Sequence, residues 1–395
     1  MPKLDQGSIR KHNLYQLWKI IYDNPGITRQ ELAKQSSLSL MSVTNLVTCL
    51  EKQQALSIYR DEESVKAHTG AGRKADNIAL SDDNHMWVML DLTDIHFRYS
   101  IFTLNMRSIP AYSSFQYNPA CSYEQNLLTL LSELKEHLGS LLLVRELIGI
   151  AVSVPGPYDI SADTVNNIRV PQISNLRLKR FLSHHLGNFS YYIDEDVKFA
   201  VRAYMTPHSA CDLLYYLYIG EGVGGAACLG DTVLRGLNAV AGDASQLLTQ
   251  QDVSYDTFES AVSLRSFVHT LNIAASRSIL GPPQDALLNS IQAYAVLHPD
   301  AYRKALSHMA EHIARMLYNV LWILDPCRVV IDCRYAAFDE EGFMNDIHAA
   351  LRSLTANSLP RLPECIFASA SVSAINIGAM QVIIKAWISR ILEEG

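Results

Sequence analysis

Three consecutive acids, Asp194, Glu195 and Asp196, close the segment YYIDED. Carboxylates grouped at a strand end can take a proton from a polyol hydroxyl or accept its hydrogen bond, and the same trio also suits a solvated acidic turn. The glycine-rich run from Gly220 to Gly230 is a second candidate, because Gly222, Gly224 and Gly225 let the backbone pass close to a neighbour or turn amides toward an anion. Its spacing matches neither the P-loop nor the dinucleotide fingerprint, so phosphate binding and a tight sheet turn both stay open. A different chemistry lies near the start of the chain. Met41, Thr44, Asn45, Thr48 and Lys52 share one helical face with Ser42 at its edge. Short polar groups of this kind reach base edges or phosphates, and an asparagine such as Asn45 suits the edge of adenine. Arg73 and Lys74 follow Gly70 and Gly72 in an adaptable loop tip that suits a minor groove or phosphates, or simply a soluble hairpin.

These residues need elements to position them. In HNLYQLWKIIYDNPG, Leu14, Leu17, Trp18 and Ile21 recur at helical spacing until Asn24, Pro25 and Gly26 stop the pattern. Thr28 and Glu31 have the spacing of a capping box for a second helix. A third helix should begin near Ser39 and bury Val43, Leu46, Val47 and Leu50, which leaves the polar face outward. SIYRDEESVKAHTGAGRKADNIAL reads as two strands around the basic loop. Three helices and this loop make a winged helix-turn-helix. From Trp87 onward, strand-like segments alternate with amphipathic helices: MWVMLDLTDIHFRYSIFTLN turns at Thr93 and Asp94, NLLTLLSELKEHLG is helical, and ELIGIAVSVPG, LLYYLYIGEGVGGAACLG and CRVVIDC are strand-rich. The order predicts mixed sheets with helices on both faces, and a division near the middle of 180–200 would separate two sublobes.

Composition sets the limits. The 395 residues are 49% hydrophobic and 18% charged, which fits an ordinary globular chain of two or three domains. The net charge of -7 conceals a split: residues 1–80 hold 11 basic and 8 acidic side chains, a balance of +3, so the remainder carries -10. Seven scattered cysteines without CxxC spacing point to reduced, buried thiols and a cytoplasmic chain rather than a zinc site. No signal segment opens the chain, and no uninterrupted apolar stretch approaches the roughly 20 residues that cross a bilayer, so no membrane partner is expected.

The order of segments resembles the ROK family of sugar-responsive bacterial repressors and sugar kinases over nearly the whole chain. VPGPYD at Val154–Asp159 is similar to the family's VPGPVD turn, and IGEGVGGAACLGDTVLRGLNAVAGD follows the family's long glycine pattern. DEDVKFA resembles the family's NDANAA region. The likeness is strongest with the repressor branch, because a winged head precedes the body and GRK resembles the usual GRP of the wing. It implies an α/β fold, in which an N-terminal winged helix-turn-helix over 1–80 precedes a two-lobed actin-like ATPase or sugar-kinase-like (ribonuclease H-like) sensor and oligomerisation domain over 81–395. It further implies DNA contacts from Met41, Ser42, Thr44, Asn45, Thr48, Arg73 and Lys74. Asn167 is similar to a sugar-contacting asparagine, and Asp196 matches the kinases' catalytic aspartate. Glu195 stands in place of a sugar-binding asparagine and Asp243 in place of a glutamate. With Gln246, these form the expected effector set.

The departures set further expectations. DLTDI at Asp91 lacks both glycines of the family's first phosphate loop, Asp332 and Cys333 occupy the position of a later glycine pair, and Gln246 replaces the zinc histidine of a motif whose close cysteines are also missing. No catalysis, metal or cofactor is therefore expected. The expectation is a homodimeric or homotetrameric repressor that binds a double-stranded DNA operator under control of a sugar or sugar phosphate. The rival readings are an active sugar kinase with a DNA-binding head, and a constitutive DNA-binding factor whose sensor is vestigial.

Overall fold

The computed structural model describes residues 6–60, 76–93, 96–116, 118, 120–166, 171–205, 213–251, 254–275, 284–356, 358–368 and 371–394. Helix α1 (Gln6–Asp23) buries the expected stripe of Leu14, Leu17, Trp18 and Ile21. After the turn at Gly26 and the two-residue strand β1 (Ile27–Thr28), α2 (Arg29–Ser36) starts on the full capping box. The Glu31 amide donates to Thr28 Oγ1 at 3.3 Å and the Thr28 amide donates to Glu31 Oε2 at 2.9 Å, so two amides that helical geometry leaves unpaired are satisfied. Ser37 ends α2 in the left-handed region at φ 58°. Helix α3 (Leu40–Lys52) begins where Ser39 Oγ accepts from the Ser42 amide at 3.1 Å. Strands β2 (Leu56–Tyr59) and β3 (Asn77–Leu80) pair antiparallel and complete a three-stranded sheet of order β1-β3-β2. Gly70, Gly72, Arg73 and Lys74 of the basic loop lie outside the described residues.

The chain forms two compact units, Met1–Asp194 with Ala379–Gly395, and Glu195–Gly378. The crossing at Asp194 and Glu195 falls inside the segment 180–200, where the change of sublobe was expected.

In the first unit, β4 (His85–Asp91), β5 (His96–Phe102), β6 (Ser108–Gln116), α4 (Tyr123–Leu141) and β7 (Glu146–Val154) follow one another. A small ribbon of β8 (Tyr158–Asp159) and β9 (Thr164–Val165), then α5 (Leu178–Leu186) and β10 (Tyr191–Glu195), complete it. The sheet order is β10-β7-β4-β5-β6, with β4 parallel to β7 and antiparallel to β5. Alternate residues of β4 face opposite sides. Met86, Val88 and Leu90 pack with Leu127, Leu130 and Leu134 of α4 and Leu178 and Leu182 of α5.

The second unit opens with α6 (Asp196–Ala203), β11 (Leu213–Ile219), β12 (Val223–Leu229) and β13 (Thr232–Val233). The ribbon β14 (Leu248–Gln251) and β15 (Ser254–Thr257) precedes α7 (Phe258–Val262), α8 (Leu264–Ala275), α9 (Gln284–Leu297) and α10 (Pro299–Leu324). Then come β16 (Arg328–Cys333), α11 (Glu340–Thr355), β17 (Glu364–Phe367) and α12 (Ser371–Glu394). Its sheet order is β13-β12-β11-β16-β17, with β11, β16 and β17 parallel and β12 and β13 antiparallel. Both units thus place their five strands in the order third, second, first, fourth, fifth. One face of the second sheet, Tyr215, Leu217, Val329 and Ile331, packs on α7, α8, α10 and α11. The other, Leu214, Tyr216 and Val330, meets Val197, Ala200 and Val201 of α6. This is the expected mixed-sheet architecture.

Lys385 and Arg390 interrupt the apolar run of helix α12. Its 21 residues Ser373–Glu393 are long and apolar enough to cross a bilayer, but half of that stretch is buried inside the structure. The apolarity has a local cause, because Ile383, Ile384, Trp387 and Ile388 are core residues and Trp387 meets the His85 ring edge-on. Its cations have local partners too: Lys385 lies 4.8 Å from the centre of the Tyr15 ring and Arg390 pairs with Glu146 at 2.6 Å.

Candidate functional site

On α3, burial of Val43, Leu46, Val47 and Leu50 turns the other side to solvent. Met41 is 77% exposed; Thr44, Asn45 and Thr48 are exposed and Ser42 is half-buried. Two hydroxyls are already engaged: Thr44 Oγ1 donates to the Leu40 carbonyl at 2.8 Å, and Ser42 Oγ shares a hydrogen bond with Ser39 Oγ at 2.9 Å. Both bonds fold back on the first turn of the helix, so the amide of Asn45 is the longer polar group on this face. The second half of the expected interface, Arg73 and Lys74, lies outside the described residues.

The second site is in the Glu195–Gly378 unit. Glu195 immediately precedes α6 and Asp196 is its first residue. Glu195 is 8% exposed and Lys198, one helical turn on, is 1% exposed. Lys198 Nζ donates to Glu195 Oε2 and to the Ala239 carbonyl. Burial pushes the Glu195 carboxyl up to about 7 although Lys198 pulls it down, and Asp196 and Asp243 add to the rise. Asp243 is raised as well, by burial first, while its two oxygens accept from the Ser245 amide at 2.9 Å and hydroxyl at 3.0 Å. The Val223 amide donates to Glu259 Oε2 at 3.2 Å, and the Glu259 charge also raises Asp243. Glu195, Asp196 and Asp243 are therefore electrostatically coupled around one buried ammonium. Gln246 is exposed and only grazes Ser245 Oγ at 3.5 Å. Asn167 lies outside the described residues.

Sequence reasoning missed Lys198 and Glu259. The i to i+3 spacing of Glu195 and Lys198 on one helical turn was a usable signal for the first. Nothing local marks Glu259, which reaches β12 from α7, 36 residues away.

The glycine run is a sheet turn. Gly220 donates its amide to the Gly222 carbonyl at 2.8 Å between β11 and β12. A Cβ on Gly225 would stand 2.3 Å from the Gly242 carbonyl oxygen, and one on Gly242, whose φ is +89°, would stand 2.7 Å from the Ala227 amide nitrogen. The two glycines let backbone meet backbone behind Asp243.

Thr93 and Asp94 stand where the family's first glycine pair would be, and Asp94 lies outside the described residues. Asp91 accepts from Arg98 at 2.7 Å and from the Thr93 amide at 3.1 Å. Asp332 is 3% exposed, accepts the Tyr216 hydroxyl at 2.7 Å and is pushed up to about 6 by burial. Among the described residues, no three His, Cys, Asp or Glu side chains gather as a metal set.

These features define an α/β protein with an N-terminal helical head and a mixed-sheet, actin- and sugar-kinase-like body. The ROK family model matches residues 95–386, and the chain belongs to the ROK family. The MarR family model matches residues 13–68, within the helical head. The xylose repressor of Staphylococcus xylosus is 22% identical over 288 residues, covering 68% of this chain and 70% of that protein. A crystal structure of a ROK family transcriptional regulator, described as a homolog of the E. coli MLC protein, superposes with a TM-score of 0.69 at 16% identity, covering 98% of this chain and 100% of that one. A ROK glucokinase from Streptomyces griseus, in complex with glucose and AMPPNP, gives a TM-score of 0.58 at 15% identity over 75% of this chain and 98% of its own.

Proposed function

We propose that this chain is a DNA-binding transcriptional regulator, a repressor of carbohydrate-metabolism genes controlled by a sugar or sugar phosphate. The observation that carries the reading is the solvent face of α3, where Met41, Asn45 and Thr48 stand clear above a closed core. A helix so presented can enter a major groove, and two copies related by a two-fold axis would address two half-sites of a partly palindromic operator. The MarR match over the same residues and the xylose repressor's likeness support the assignment. The domain division at residue 80, a homodimer or homotetramer, Arg73 and Lys74 as wing contacts, and a cytoplasmic location belong to the same reading.

Within the body, Asp196, Asp243 and Asn167 are the proposed polyol contacts, and Gln246 an outer one. Regulation requires only that the effector bind one conformation better than another. Phosphoryl transfer is not part of the proposal. It needs several positioned charge-stabilising groups, and Thr93 and Asp94 replace the family's first phosphate-loop glycines while Asp332 and Cys333 replace a later pair.

Lys198 favours a second reading, a constitutive DNA-binding factor. It holds the Glu195 carboxylate that would otherwise accept from a sugar hydroxyl. Capture of genomic fragments by the purified chain, followed by mobility shifts with Asn45→Ala and Arg73→Ala together, tests the DNA reading. Unchanged operator affinity in the double variant would sink it. A metabolite panel on the captured operator separates the two: one releasing sugar supports the sensor, whereas none releasing it supports the constitutive factor.

A further inference from the structure

Helix α10 carries His308 and His312 one turn apart, His308 exposed and His312 half-buried. Residues at i and i+4 project from the same helix face. Their Nε2 atoms stand 3.4 Å apart, with ring centroids separated by 4.9 Å and planes at 85°. Burial lowers the His312 pKa, and the neighbouring His308 and Arg315 lower it further while Glu311 opposes them. Met309, Ala310, Ile313 and Ala314 are buried in the unit's core, so this turn of α10 is held firmly.

The separation itself carries chemical information. Two Zn–N bonds of roughly 2.0–2.1 Å at the tetrahedral angle place their nitrogens about 3.3 Å apart, whereas a right angle between the same bonds would give about 2.9 Å. The observed 3.4 Å matches the tetrahedral separation, and in the metal-free chain the two ring nitrogens share a hydrogen bond at that distance.

We propose that His308 and His312 form a two-ligand surface site for a divalent transition ion of the zinc type. Among the described residues no third His, Cys, Asp or Glu joins them, which leaves two coordination positions to water or a small ligand from solution. The site uses neither Gln246 nor any cysteine, and it is independent of the DNA-binding proposal.

The test uses the full-length chain and zinc chloride alone, titrated against a chromophoric chelator and by calorimetry. The expected result is one equivalent of zinc whose affinity falls roughly tenfold or more in His308→Ala and in His312→Ala, because each removes one of two ligands. Retained affinity in His184→Ala/His185→Ala, which removes the other close histidine pair, is expected as well. His308 is exposed, so His308→Gln keeps the fold while removing the ligand. Zinc affinity that survives both helix α10 variants, or that disappears with His184 and His185 instead, overturns the proposal.

Discussion

At the residue scale, the second unit is organised by a buried ion pair. Removing one partner of such a pair leaves an uncompensated charge, so Lys198→Met should cost about 3–5 kcal/mol in denaturant unfolding, and Lys198→Met with Glu195→Gln should recover much of it. The pH dependence has a definite sign. Burial holds the Glu195 carboxyl near 7 against an ordinary 4.5, so between those values the folded chain keeps a proton that the unfolded chain releases. Stability from this group is fully present below the unfolded pKa and is lost as pH rises through 7. Each pKa unit corresponds to about 1.4 kcal/mol. Thermal unfolding from pH 5 to pH 8 should therefore show a smaller fall for Glu195→Gln than for the parent chain; equal falls would assign the pH dependence elsewhere. On α3, Asn45→Ala should cost about 1–3 kcal/mol of binding at one base pair and relax preference there, measured by mobility shifts on operator variants.

At the element scale, start signals and close approaches decide stability. Ser39 is the cap of α3, and Ser39→Ala should lower unfolding free energy by about 1 kcal/mol through the lost bond to the Ser42 amide. Gly378 sits where α12 passes α6, and a Cβ there would lie 1.8 Å from the Phe199 carbonyl oxygen. No side chain fits without moving backbone, so Gly378→Ala should destabilise by about 1–3 kcal/mol or more, read from the urea midpoint. The capping box of α2, the stripe of α1 and the face of α3 were all legible in the sequence, because each is written within one or two turns of chain. Lys385 and Arg390 interrupt the apolar residues of helix α12. Only the partners, Tyr15 and Glu146, show how those cations fit a core helix.

At the scale of the whole molecule, a regulator that binds operator phosphates should lose affinity steeply with salt, the logarithm of affinity falling linearly with the logarithm of salt concentration. Filter binding between 50 and 200 mM salt is the check, at about those concentrations. A flat response would exclude the proposed DNA role. The separation of a +3 head from a -10 body, taken from the charges themselves, argues that such binding is confined to the head.

The sequence by itself determined the helical head, the alternation of strands and helices, a sublobe division within 180–200 and the family resemblance, because periodicity, caps and glycine patterns are local. That the glycine run turns a sheet against the Gly242 backbone, and what neutralises the acids beside it, were shown only by tertiary structure. Gly225 meets Gly242, Lys198 meets Ala239 and Tyr216 meets Asp332 across separations of 17, 41 and 116 residues. Such contacts depend on strand register and on which sheet face a helix covers. A one-residue slip of register would turn each of those strand side chains to the opposite face, and no local pattern of residues specifies it.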